Sequence, residues 1–167
     1  MTIPYKIRSA EPADLGDIVS ILNPYIKDTA ITFDTEPYTE ETRKFWFDQF
    51  QKTGRYQCFV AESEGRVVGY ANSSHFKPKR SYDTSVEVSI YRLNSFNVPG
   101  VGSALYNTLF QTLAQNDVHR AYAYITLPNE VSLAIHRKFG FTEVGLLTDA
   151  GRKFGDFHSV MIMEKAL

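Results

Sequence analysis

Strand-like and helix-like stretches alternate along this chain of 167 residues, and their order limits the folds that it can adopt. Apolar residues recur at helical spacing after Pro12, after Thr39, from 103 to 113 and from 129 to 139, which predicts four helices. Seven shorter runs predict strands, in the order strand, helix, helix, three strands, helix, strand, helix and two strands. We therefore expect one α/β (α+β) domain over residues 1–167, with a mixed sheet covered by helices on both faces.

Local signals predict several boundaries of these elements. Pro24 predicts that the first helix ends or kinks after Asn23, because proline lacks the amide hydrogen that a helix needs. The segment Ser63-Glu64-Gly65-Arg66 predicts a tight hairpin turn between two apolar strands. The last two strands are predicted at 141–147 and 160–163.

The composition excludes several classes of protein. The 18 Lys+Arg residues are balanced by 19 Asp+Glu residues, so the chain lacks the basic excess of a protein that binds nucleic acid through its phosphates. One cysteine, Cys58, allows neither an internal disulfide nor a cysteine metal cluster, and the histidines lack metal-ligand spacing. No apolar run is long enough to span a membrane, and the N-terminus lacks the pattern of a signal peptide. We expect a cytoplasmic protein that has no metal, membrane or nucleic-acid partner.

The segment Val98–Ser103, with the sequence Val-Pro-Gly-Val-Gly-Ser, lies between a predicted strand and a predicted helix. Its glycines let the backbone approach a ligand, and the N-terminus of the helix adds free N–H groups and a partial positive charge. Such a turn can bind a pyrophosphate or can simply connect a strand to a helix, and this segment alone leaves both interpretations open. The chain has no P-loop motif, and the turn lacks the third glycine of a dinucleotide-binding fold, so we do not expect a nucleotide hydrolase.

Several motifs, taken together and in order, resemble a known family. They are 23–26 (Asn-Pro-Tyr-Ile), 67–71 (Val-Val-Gly-Tyr-Ala), 82–91, 127–129 (Leu-Pro-Asn), 129–141 with Asn129, Ser132, His136 and Gly140, and 151–155 (Gly-Arg-Lys-Phe-Gly). The chain is similar to the GNAT N-acetyltransferases and, more narrowly, to their phosphinothricin and methionine sulfoximine N-acetyltransferase branch. The resemblance implies the single-domain GNAT fold with a mostly antiparallel sheet. It also implies an enzyme that transfers acetyl from acetyl-CoA to the amino group of a small amino acid or analogue.

The resemblance implies where acetyl-CoA would bind. In this family the cofactor lies in a splayed gap between two strands, and its pyrophosphate lies on the glycine turn. Carried over to this chain, Ile90, Tyr91 and Arg92 would flank the pantetheine arm, and Asn129 would contact the cofactor further along. The phosphates would bind to Val98, Gly100, Val101, Gly102 and Ser103. The amine attacks the thioester directly, so positioning and proton removal provide most of the rate.

Glu87 lies where this branch places its general base. Its carboxylate would take a proton from the substrate ammonium, directly or through a water molecule. The apolar neighbours Val86, Val88 and Ile90 favour a raised pKa for the Glu87 carboxyl group, which suits that role. The other interpretation is an outward-facing glutamate in a salt bridge, and strand alternation does not decide between them.

His136 lies where many family members have a tyrosine that protonates the departing thiolate. An imidazole can serve as an acid near physiological pH. A structural histidine with satisfied hydrogen bonds is the other interpretation, and the sequence leaves both open.

The basic loop Lys77-Pro78-Lys79-Arg80 lies in the region that the family uses to hold its substrate. Substrates of this branch carry an α-carboxylate, which a positively charged loop could recognise. The resemblance therefore implies an acceptor site for a small amine, made of Lys77, Lys79, Tyr82, Glu87 and Ser89. An ordinary solvated basic loop is the alternative.

The phosphate turn departs from the family pattern. The family usually has Gln or Arg and then a basic residue before its first glycine, whereas this chain has Asn97-Val98-Pro99. Pro99 also removes one backbone N–H from the turn. The loss of one charge-assisted hydrogen bond would weaken CoA binding by about 1.5–3 kcal/mol, unless Arg92, Arg137 or Lys138 replaces it.

Two other hypotheses remain at this stage. The altered turn would suit a degenerate GNAT-fold protein that binds a ligand or partner without catalysis. An enzyme that acetylates a protein N-terminus or lysine is the other, and the near-neutral charge disfavours it. Members of the branch are commonly dimers, so the resemblance also implies a homodimer.

Overall fold

The computed structural model describes residues 4–167, which form one sheet of seven strands with four α-helices. The strands are β1 (Lys6–Ser9), β2 (Cys58–Ser63), β3 (Arg66–His75), β4 (Ser85–Arg92), β5 (Arg120–Thr126), β6 (Thr142–Lys153) and β7 (Asp156–Ala166). The helices are α1 (Leu15–Asp28), α2 (Glu40–Phe47), α3 (Val101–Leu113) and α4 (Glu130–Lys138). Their order along the chain is the order that the sequence predicts.

The sheet is mixed, as expected. Its strands lie in the order β1-β2-β3-β4-β5-β7-β6, and all neighbours are antiparallel except β4 and β5. Parallel neighbours need a crossover connection, and α3 provides it. Glu64 and Gly65, with φ values of 51° and 78°, form the predicted hairpin turn between β2 and β3.

Helices cover both faces of the sheet. Along β2, Phe59 and Ala61 pack into the cluster on the α3 side, whereas Cys58 and Val60 pack into the cluster on the side of α1 and α2. Alternate residues of a strand point to opposite faces, so a strand whose residues are buried on both faces requires a layer on each side. The predicted α/β fold is confirmed.

The first helix continues through Pro24 to Asp28, so of the two expected effects of Pro24 an end after Asn23 is wrong. Pro24 is on the exposed side of the helix, where water can solvate the carbonyl that loses its partner. The last turn is fixed by tertiary contacts instead. Ile26 is buried, and the Tyr25 hydroxyl donates to the Arg92 carbonyl at 2.8 Å.

The last two strands are longer than predicted. β5 pairs with β7 only from Val160 onwards, so the distal part of the β6–β7 hairpin pairs only within itself. Phe154 and Gly155, both with positive φ, form its turn. The sequence pattern missed this extension because residues 148–159 are mostly exposed and therefore show no apolar alternation.

Among residues 4–167, no helix combines the length and apolar character needed to cross a membrane. In the same part of the chain, no group of three His, Cys, Asp or Glu side chains is arranged to hold a metal ion.

Candidate functional site

The strands β4 and β5 part in the middle of the sheet. They pair only over Ser85–Glu87 of β4, although β4 continues to Arg92 and β5 to Thr126. Beyond Glu87, the edge of β4 that faces β5 therefore offers backbone N–H and C=O groups that have no strand partner in the described sheet. The gap between the strands is a cleft of about 860 Å³. A splayed strand pair is what the family resemblance implies.

All the residues that we expected to hold the cofactor line this cleft. They are Ile90, Tyr91, Arg92, Val98, Gly100, Val101, Gly102, Ser103 and Asn129. The end of β4, the turn into α3 and the start of α4 contribute them, although these elements are far apart in sequence. The structure thus brings the set together, and its binding of acetyl-CoA stays a prediction.

The glycine turn brings backbone N–H groups to one end of the cleft. Gly100, with φ of 90°, is the N-cap of α3, which begins at Val101 and not at Ser103 as predicted. The first N–H groups of a helix have no acceptor within that helix. A Cβ atom on Gly102 would lie 3.0 Å from Cδ1 of Ile135, so this glycine also allows α3 to approach α4 closely. The turn can therefore bind an anion and also packs two helices together.

Two cations lie at this turn, where the family's usual basic residue is missing. The Lys138 ammonium donates to Ser103 Oγ at 2.8 Å, and Lys138 lines the cleft. Arg92 also lines the cleft and donates to a backbone carbonyl just before the turn at 2.9 Å. Arg137, the third candidate, forms a salt bridge with Glu143. Lys138 is therefore the cation best placed to contact a phosphate on the turn.

Glu87 lies at the vertex of the cleft, where β4 makes its last pair with β5. Val86 and Val88 point into the core on the α3 side, so Glu87 points to the face covered by α1 and α2. Within residues 4–167 its carboxylate has no salt bridge or hydrogen bond, so the salt-bridge interpretation is not supported. Burial raises the pKa of Glu87, and the positive charge of Lys77 acts in the opposite direction. A partly desolvated, unpaired carboxylate is suited to accept a proton.

His136 lines the cleft but is only 3% exposed. Its Nδ1 lies 2.7 Å from the Ser132 carbonyl and its Nε2 lies 2.9 Å from the Tyr106 hydroxyl. Because a carbonyl can only accept, Nδ1 carries the proton and Nε2 accepts from Tyr106. Burial lowers the pKa of His136, which favours the neutral ring. This arrangement supports the structural interpretation, since both ring nitrogens have partners.

The structure brings only part of the expected acceptor site together. Ser89 lies on the same face as Glu87 and lines the cleft. Lys77 lies near enough to Glu87 for its charge to lower the pKa of that carboxyl group. Lys79 and Tyr82 are exposed at the short helical turn that follows β3, and neither lines the cleft. Of the basic loop, Lys77 is thus the residue whose charge acts on the candidate base.

Two residues that the sequence analysis did not select also face this site. Tyr124 on β5 lines the cleft, and burial together with the nearby Glu87 charge raises its pKa. Asn72 on β3 pairs in register with Ser89 and is buried, yet its Oδ1 has no hydrogen-bond partner among the described residues. A polar amide directly after the apolar run Val67–Ala71 was the available signal for Asn72.

Comparison with known proteins identifies the class of protein. Residues 7–162 match the family model described as an acetyltransferase (GNAT) domain. Since this match covers nearly the whole sequence, the chain belongs to the GNAT acetyltransferase family. It is an enzyme of the N-acetyltransferase class, and the resemblance drawn from its motifs is confirmed.

Individual relatives define the branch more closely. Phosphinothricin N-acetyltransferase of Streptomyces coelicolor is 41% identical over 168 residues, which cover 99% of this chain and 98% of the relative. A GNAT superfamily phosphinothricin acetyltransferase from Sinorhizobium meliloti, solved in complex with AcCoA, has a TM-score of 0.91 and 30% identity, covering 100% of this chain and 89% of that one. The structure of ribosomal-protein-alanine N-acetyltransferase from Brucella melitensis has a TM-score of 0.89 and 32% identity, covering 97% and 99%.

Proposed function

We propose that this chain is a cytoplasmic, single-domain enzyme that transfers the acetyl group of acetyl-CoA to the amino group of a small amino acid or analogue such as phosphinothricin. The observation that carries the proposal is the parting of β4 from β5 beside the unpaired carboxylate of Glu87. The name of the Streptomyces coelicolor relative supports the acceptor class, and the AcCoA complex of the Sinorhizobium meliloti neighbour supports the donor.

The residues of the cleft fit acetyl-CoA. The unpaired edge of β4 can form hydrogen bonds to an amide-bearing arm, as a neighbouring strand would. At the other end, the N–H groups of the glycine turn and the Lys138 ammonium can bind a pyrophosphate. When bound, the cofactor supplies a thioester carbonyl for attack by the amine.

The proposed catalytic role of this chain is to remove a proton and to position the amine. Glu87 takes the proton from the substrate ammonium, so that the amine has a free lone pair. The backbone N–H of Ile90 would donate to the thioester oxygen as negative charge develops on it, because this N–H lies on the open edge of β4, whereas the N–H of Tyr91 points toward β3. Lys77, the cation whose charge reaches Glu87, binds the α-carboxylate of the acceptor. His136 joins α4 to α3 through its hydrogen bond to Tyr106, and its bond to Ser132 within α4 orients the ring.

A homodimer is part of the proposal. Large apolar side chains are exposed along the β6–β7 hairpin, namely Val144, Leu146, Leu147, Phe154 and Phe157. Exposed large apolar side chains are enriched at protein–protein interfaces, and a second copy would cover those of the hairpin. Sedimentation velocity tests this: we expect a dimer, and a monomer at all concentrations would contradict it.

Acetylation of a protein N-terminus is a second candidate, because one structural neighbour is a ribosomal-protein-alanine N-acetyltransferase. A single assay separates the two. CoA release from acetyl-CoA is measured with phosphinothricin, methionine sulfoximine, the common amino acids and peptides that begin with alanine. We expect turnover with free amino acids or their analogues, and mass spectrometry should show the N-acetyl product. Turnover with peptides alone would support the second candidate, and no turnover with any acceptor would refute the proposed function.

A further inference from the structure

The tip of the β6–β7 hairpin packs against the connection between α1 and α2, residues 29–39, here called the 29–39 loop. The Lys153 ammonium donates to the Thr32 carbonyl at 2.8 Å, although the two residues are 121 positions apart in sequence. Lys153 is only 5% exposed, which is unusual for lysine. A buried ammonium is unfavourable unless it is hydrogen-bonded, so this contact ties the hairpin firmly to the loop.

A second contact joins the same two segments. A Cβ atom built on Gly151 would lie 2.2 Å, 2.6 Å and 2.7 Å from three ring atoms of Phe33. The Phe33 ring therefore occupies space that any larger residue at 151 would need. Gly151 pairs in register with His158, whose ring centroid lies 6.4 Å from that of Phe33. The ring thus rests on the hairpin at a point where only glycine leaves room.

The 29–39 loop forms part of the cleft on the acceptor side. Ile31 of this loop lines the cleft together with Tyr91. Burial, reinforced by the negative charge of Asp34 in this loop, raises the pKa of Tyr91 to about 12. Tyr91 lies on the same face of β4 as Glu87. A displacement of the loop therefore changes the space beside the candidate base.

We propose that Lys153 and Gly151 are positioning residues for the acceptor amine, acting through the 29–39 loop; this inference rests on the proposed function. Neither residue lines the cleft, so neither is expected to contact the cofactor. The block Gly151–Gly155 then has a physical explanation: Gly151 makes room for Phe33, Lys153 bonds to Thr32, and Phe154 and Gly155 turn the hairpin.

The first test replaces Lys153 with Met, which keeps the length and burial of the side chain but removes the donor. We expect the KM for the acceptor to rise about tenfold, as for the loss of a hydrogen bond to a charged group, with the Kd of acetyl-CoA unchanged. Lys52→Met is the matched control. Lys52 is exposed between α2 and β2 and does not line the cleft, so the loss of its ammonium should leave both constants unchanged.

The second test replaces Gly151 with Ala, and Gly145→Ala is its control. A Cβ on Gly145, on the same strand, would meet only Ile162 Cδ1 at 3.6 Å and Cβ at 4.0 Å, which is ordinary contact. Gly151→Ala should raise the KM for the acceptor, and Gly145→Ala should not. If Phe33 transmits the effect, adding Gly151→Ala to Phe33→Ala will cause no further rise.

Hydrogen exchange of the 29–39 loop gives a readout that does not depend on turnover. In Lys153→Met we expect faster exchange in this loop and no change in α3, which lies on the other face of the sheet. Turnover by the wild type tests the proposed function. The ratio of the acceptor KM in the variant to that in the wild type, together with the exchange rates, tests the positioning role. The inference would be overturned if Lys153→Met left the exchange of the loop unchanged or if Lys153→Met and Gly151→Ala left the acceptor KM unchanged. It would also be overturned if these variants lost affinity for acetyl-CoA as much as for the acceptor.

Discussion

Replacing Glu87 with Gln tests the proposed general base. The carboxylate has no salt bridge or hydrogen bond within residues 4–167, so the amide leaves no partner unsatisfied. Only the ability to accept a proton is lost. We therefore expect the free energy of unfolding to change by less than about 1 kcal/mol, as for a substitution that breaks no contact.

The effect on the rate should be much larger than the effect on stability. A positioned general base typically contributes about 10²–10⁴-fold, so kcat should fall by at least about 100-fold, or about 2.7 kcal/mol of activation free energy. The Kd of acetyl-CoA should not change, because Glu87 lies at the vertex of the cleft and is not among its lining residues.

The pH profile provides an independent measurement. Burial raises the pKa of Glu87, so kcat/KM of the wild type should rise with pH through a value above the usual range of a glutamate. This rise of kcat/KM with pH should be missing in Glu87→Gln. Glu164→Gln is the control, since Glu164 lies on β7 outside the cleft, and its kcat should match the wild type. The role of Glu87 as general base would be refuted if Glu87→Gln kept a kcat close to that of the wild type and kept the rise of kcat/KM with pH.

The remaining predictions concern the cofactor site, the buried histidine and the cysteine. Lys138→Met should weaken acetyl-CoA binding by about 1.5–3 kcal/mol in calorimetry, whereas Arg137→Met should not, because that guanidinium is paired elsewhere. Tyr106→Phe leaves a buried imidazole nitrogen without its donor, so denaturant unfolding should show a loss of about 1–3 kcal/mol. Burial lowers the pKa of His136 below its unfolded value of about 6.5, so its contribution to stability is complete above about pH 6.5. That contribution is lost as the pH falls towards the folded-state pKa of His136. A free energy of unfolding in urea that does not change with pH below about 6.5 would contradict this. Cys58 is buried with a raised pKa and should react with a thiol reagent only after unfolding.

The order of elements could be predicted from sequence because each helix and each central strand buries an apolar face. The α3 pattern at Leu105 and Leu109 is one example, since both are fully buried. The distal β6–β7 hairpin could not be predicted in this way, because its residues are mostly exposed and its shape depends on positive φ at Phe154 and Gly155. Pro24 shows the same limit, since its local signal was overridden by the packing of Ile26.

The residues expected to hold the cofactor all line one cleft, whereas the expected acceptor residues are only partly brought together. Glycine turns and strand-to-helix connections are local, so the set from Ile90 to Ser103 could be named from motifs. The contact between Lys153 and Thr32 joins residues 121 positions apart in sequence, and no local pattern predicts it. The loop residue Ile31 is apolar because it lines the cleft, which also becomes clear only in the fold.

Titration calorimetry of acetyl-CoA into the wild-type protein tests the central claim most directly, since the altered turn at Asn97-Val98-Pro99 must still bind the pyrophosphate. We predict one acetyl-CoA per chain with a micromolar Kd, and competition by CoA for the same site. The absence of binding at millimolar acetyl-CoA, with the fold intact by circular dichroism, would contradict the account and favour a GNAT-fold protein without catalysis.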